Sequence, residues 1–144
     1  MKKKIFISLL VCLIIATFSV SAFAMDSYEP NNTASNATYI VPGNSYSANL
    51  DPGDIDYFFF SQPTAGTQMV YFIPSDNQTY YVGIYDYHVL GSSATPLVWK
   101  VISNSQGTPV LLSFTREANT AYWVSVFGSN NTTTPNYTVL PIQQ

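Results

Sequence analysis

Two short stretches hold the residues best suited to chemistry: Asp26-Ser27-Tyr28-Glu29-Pro30-Asn31-Asn32 and Asp51-Pro52-Gly53-Asp54-Ile55-Asp56-Tyr57-Phe58. Between them they contain five of the eight acidic residues, Asp26, Glu29, Asp51, Asp54 and Asp56. Ca2+ takes about six to eight oxygen ligands from carboxylates, side-chain amides and backbone carbonyls. Glu29, Asn31, Asn32, Asp54 and Asp56 offer that set in two segments. The same residue types also form turns beside Pro and Gly without any ion, so composition leaves a metal clamp and a pair of acidic turns both standing.

Other chemistries are poorly supplied. His88 is the only histidine, and Asp86-Tyr87-His88 stands in no nucleophile elbow or other catalytic framework. Asp54 and Asp56 share a strand face about 7 Å apart, but no neighbour tunes one of them as an acid for glycoside cleavage. Zinc needs Cys or His ligands, and the only cysteine, Cys12, lies in the N-terminal apolar run. No enzymatic activity is expected.

The elements that must position the acids are strands. From Thr38 onward, β-branched and aromatic runs alternate with clusters of Pro, Gly, Asn, Asp and Ser, the spacing of an all-β sandwich. Strands are predicted over Thr38 to Val41, Ser45 to Leu50, Ile55 to Ser61, Thr67 to Ile73, Tyr80 to Tyr85, Leu97 to Ile102, Val110 to Phe114, Ala121 to Phe127 and Tyr137 to Leu140. The period-2 rule places Ile55, Tyr57 and Phe59 on one face and Asp56, Phe58 and Phe60 on the other. Asp56 therefore shares a face with two phenylalanines and needs a partner or a rim position. Tyr122 to Phe127 is apolar on both faces and reads as a central strand. Tyr71, Tyr80, Tyr81, Tyr85, Tyr87, Trp99, Tyr122 and Trp123 supply rings either for the core or for a platform that binds a polysaccharide or fibrous protein.

Lys2, Lys3 and Lys4, the apolar run Ile5 to Val20 and the small-residue site Ser21-Ala22-Phe23-Ala24 read as a signal peptide over residues 1–24. The run is short for a membrane anchor and ends in small residues. Cleavage leaves a single domain over residues 25–144, secreted to the medium or the periplasm and holding no membrane segment. Two basic residues, Lys100 and Arg116, then face eight acids, a net charge of −6. That balance disfavours nucleic acid and anionic membrane surfaces as partners.

The order Tyr28-Glu29-Pro30-Asn31-Asn32, then Leu50 and Asp54-Ile55-Asp56-Tyr57-Phe58-Phe59-Phe60, resembles the bacterial pre-peptidase C-terminal domain, whose pattern runs E-P-N-D to D-x-D-W/Y-Y/F-x-F. Val82-Gly83-Ile84-Tyr85-Asp86, Asn119-Thr120-Ala121-Tyr122-Trp123-Val124-Ser125-Val126 and Tyr137-Thr138-Val139 are similar to its later strands. The resemblance implies a jelly-roll-like antiparallel β-sandwich, exported and non-catalytic. It also implies calcium near the N-terminal strand, with Glu29, Asn31, Asn32, Asp54 and Asp56 as ligands. Asn32 replaces the motif's usual Asp and removes a charge, and Tyr57 stands where Trp is common. The partners implied are an extracellular protein or polysaccharide, or a secreted peptidase. The leader runs straight into the module, so a stand-alone binding module is expected, with an accessory or chaperone-like role toward a separately encoded hydrolase as the alternative.

Overall fold

A computed structural model describes residues 27–87, 95–129 and 136–143. Every predicted strand forms, with ends displaced by no more than two residues: β1 Thr38–Tyr39, β2 Tyr46–Ala48, β3 Ile55–Gln62, β4 Gly66–Ile73, β5 Tyr80–Asp86, β6 Val98–Ile102, β7 Val110–Arg116, β8 Thr120–Gly128 and β9 Tyr137–Pro141. A 3-10 turn forms at Ala34–Asn36. The signal peptide expected over residues 1–24, and also Asp26 and His88, lie outside the described residues.

The strands form two sheets, ordered β1-β3-β8-β5-β6 and β2-β9-β4-β7. All pairs are antiparallel except β1 with β3, where Thr38 and Tyr39 run parallel to Phe58 and Phe59. That exception follows from connectivity: β2 belongs to the opposite sheet, so the chain crosses over and returns to β3 in the direction it left β1. The apolar character of β8 on both faces fits its place between β3 and β5.

Alternation decides what each sheet buries. β3 turns Asp56, Phe58, Phe60 and Gln62 inward, while Ile55, Tyr57 and Phe59 remain half-exposed on the outer face. Between the sheets, Phe72 stacks on Tyr137 at 5.3 Å and tilts against Tyr80 at 5.1 Å. Tyr80, Tyr122 and Tyr137 are almost wholly buried, so two of the rings proposed from sequence for a surface platform belong to the core. Their hydroxyls require partners there: Tyr80 donates to Asp76 Oδ1 at 2.9 Å, Tyr122 accepts from the Glu117 N–H at 2.6 Å, and Tyr137 donates to Asp56.

Candidate cation cleft and outer sheet face

Each acidic stretch is held in place by ordinary forces. Tyr28 sets its ring edge-on to Phe58 and Tyr46, at 6.0 Å from each, which pins the N-terminal segment to the sandwich. The Asn31 carbonyl accepts from the Tyr57 N–H at 2.9 Å, extending the β1 edge of the sheet. In the second stretch, Gly53 adopts φ +81°, and the Asp54 N–H closes the turn on the Asp51 carbonyl at 3.0 Å. A residue with a Cβ is disfavoured at that φ. The turn delivers Asp54 to the foot of β3, where its Oδ1 accepts from the Ile55 N–H at 2.8 Å.

These anchors bring Glu29, Asp54 and Asp56 together, with one carboxylate oxygen of each inside 4.8 Å of the others. Asn31 is fully buried between two of them. Its backbone N–H donates to Glu29 Oε2 at 3.2 Å. Its side-chain amide, oriented by its neighbours, donates to Asp56 Oδ1 at 2.9 Å and Glu29 Oε1 at 3.2 Å. Asp56 is also fully buried, and its Oδ2 accepts from Tyr137. Asn32 is exposed and lines an open cleft of about 460 Å³ with Glu29, Asp51 and Asp54.

The two stretches therefore meet. Asn31 occupies a different position from Asn32, one wedged among carboxylates and the other on the wall. Asp51, absent from the sequence-derived ligand set, stands beside them. The role of Tyr137 toward Asp56 was not legible in the sequence: it lies 81 residues away, and its local signal was only that of a strand.

No family model and no curated protein sequence matches this chain. Its backbone does match solved structures. One is the pre-peptidase C-terminal domain of a collagenase from Bacillus anthracis, 13% identical over 73% of this chain and 93% of that one, with a TM-score of 0.58. This chain has the fold of a pre-peptidase C-terminal domain. The Yersinia pseudotuberculosis-derived mitogen is similar at 10% identity, 72% and 88% coverage and a TM-score of 0.53. A periplasmic inhibitor of g-type lysozyme from Aeromonas hydrophila is similar at 11% identity, 73% and 95% coverage and a TM-score of 0.53.

The second surface with distinctive chemistry on this pre-peptidase C-terminal fold is the outer face of the five-stranded sheet. Tyr39, Phe59 and Trp123 pack in series at 5.1 and 5.4 Å, and Tyr87 stacks on Trp123 at 5.6 Å. Farther along the strands, Tyr81 stacks on Phe127 at 4.8 Å, and Trp99 closes that group at 5.7 Å from Phe127. Between the two groups runs the row Tyr57, Ser125 and Gly83, which ends beside Trp99 of the second group. Gly83 makes room here: a Cβ would lie 2.9 Å from Tyr85 Oη and 3.0 Å from Ser125 Oγ. Burial, reinforced by the Tyr85 phenol, pushes the Tyr57 phenol above its usual range.

Among the described residues, no helix is long and apolar enough to cross a membrane.

Proposed function

We propose that this chain is an exported, non-catalytic module that binds an extracellular protein or polysaccharide, with Ca2+ fastening its N-terminal segment to β3. The observation that carries the metal reading is the meeting of three carboxylates from two segments around a buried amide. Oxygens about 2.3–2.6 Å from one Ca2+ lie no more than about 5 Å from one another, and the Glu29, Asp54 and Asp56 oxygens meet that limit. Turning the Asn31 amide over presents its carbonyl oxygen to the same space, and ligands of one ion sit at separations like its 2.9 and 3.2 Å contacts. Asn32 and Asp51 line the cleft through which the remaining ligands would approach. A bound Ca2+ supplies the positive charge that offsets the repulsion among the carboxylates.

The binding role is supported by the outer aromatic face and by a chain holding a single histidine and one cysteine, which sits in the leader. The alternative, an accessory protein that regulates a secreted hydrolase, draws on the lysozyme inhibitor that shares the fold.

Thermal melting tests the metal site. A ligand held only by the folded state raises stability, by about 2.7 kcal/mol at one hundred times its Kd, so millimolar Ca2+ is expected to raise Tm by several degrees over chelator. Asp54→Asn should abolish most of that rise. An equal Tm with Ca2+ and with chelator would remove the ion from the proposal.

A further inference from the structure

We propose that the outer face of the five-stranded sheet is the docking surface and that its occupant is an uncharged polysaccharide. This deepens the reading of the chain as an exported binding module and rests on it.

The inference starts from what the face lacks. The chain is strongly acidic without its leader, yet the outward positions of β1, β3, β5, β6 and β8 carry no charged residue. Sulfated glycans, nucleic acids and anionic membranes need clustered cations, and this surface gives them none. What it offers is aromatic area with polar edges. Tyr87 and Trp99 are exposed by 52% and 43%, with Val101 beside the second ring group at 56%. Rings of this kind combine a large apolar surface with a polar handle, the combination that complements a sugar's C–H face and hydroxyl rim.

The hydroxyls sharpen the choice. Tyr57, Tyr85 and Ser125 form a strip between the two ring groups, and each hydroxyl both donates and accepts. Sugar hydroxyls use both roles at once around an apolar C–H face, which matches hydroxyls set between two groups of rings; an extended peptide also offers donors and acceptors, and retention on gelatin tests that occupant. A second observation points independently to a ligand on this face. Trp123 projects from it but is 7% exposed beneath Tyr87 and Phe59, and among the described residues its buried indole Nε1–H has no hydrogen-bond partner. Buried donors are rarely left unmet, and an acceptor oxygen arriving between the rings would satisfy this one.

The chain's two tryptophans, Trp99 and Trp123, both lie on this face, so intrinsic fluorescence reports on it directly. The full chain is tested for retention on cellulose, chitin, gelatin and heparin resin, and titrated with soluble cello- and chito-oligosaccharides. Retention on cellulose or chitin is expected, with a change in tryptophan emission. Trp99→Ala and Tyr57→Phe should weaken it about tenfold or more without lowering Tm. Undiminished retention in both variants would overturn the assignment to this face. Retention on gelatin alone would overturn the sugar while leaving the binding-module reading intact, and retention on heparin alone would overturn the uncharged character of the occupant with the same reading intact. Retention on none of the four would overturn both readings. Concentration-dependent dimers abolished by Trp99→Ala, in the absence of sugar binding, would reassign the face to a second copy of the chain.

Discussion

Asp56 shows how a single residue's surroundings convert a liability into a fastening. A carboxylate on the inner face of a strand, beside Phe58 and Phe60, is costly unless it is paired. Tyr137 and Asn31 provide that pairing from two distant parts of the chain. Tyr137→Phe keeps the ring packed on Phe72 and removes the donor, so the expected loss is about 1–3 kcal/mol in urea unfolding. Because the variant leaves Asp56 less well held, the loss should be larger in chelator than in Ca2+. An equal loss in both conditions would separate the hydrogen bond from the ion. The period-2 pattern of Ile55 to Phe60 had already announced that Asp56 needs a partner. It held no information about which residue would be that partner, because Tyr137 is brought there by the pairing of β9 with β2 and β4.

At the scale of elements, the four-stranded sheet is tied at its far end by a buried cation. Arg116, 3% exposed at the end of β7, donates to the Thr64 carbonyl at 2.7 Å, to Thr64 Oγ1 at 3.1 Å and to Gln68 Oε1 at 2.9 Å. Gln68 in turn donates to the Ile142 carbonyl at 2.9 Å, so one side-chain relay joins β7, the β3–β4 turn and the C-terminal segment. Arg116→Ala strips donors from the buried Gln68 amide oxygen and from two oxygens of Thr64 at once. A destabilisation of about 2–4 kcal/mol is expected from denaturant unfolding, with a smaller loss for Gln68→Ala, which leaves the two bonds to Thr64. In sequence, Arg116 read only as one of two basic residues beyond Lys4. The role of Gln68 depends on the register of β4 against β7, which sets it opposite Phe114 and within reach of Arg116.

For the whole molecule, the order of strands governs how it forms. Most connections cross from one sheet to the other, and β3 must wait for β8, which follows it by more than half the described chain, to complete its pairing. Sandwiches dominated by such non-local pairings fold in milliseconds to seconds, and stopped-flow refolding from urea should fall in that range. A microsecond phase carrying the full amplitude would contradict it. The acidic balance, the strand positions and the two faces of β3 were all legible in the sequence, because net charge and alternation are local properties of the chain. The motif order also led to the fold that the solved structures share. Only the tertiary structure decided that Asn31 lies among the carboxylates while Asn32 faces the cleft, that Tyr137 completes the partners of Asp56, and that Tyr80 and Tyr122 are core while Tyr81, Trp99 and Trp123 line the outer face. Those outcomes depend on which strand lies beside which, and register between distant segments is set by long-range packing that no local window of residues contains.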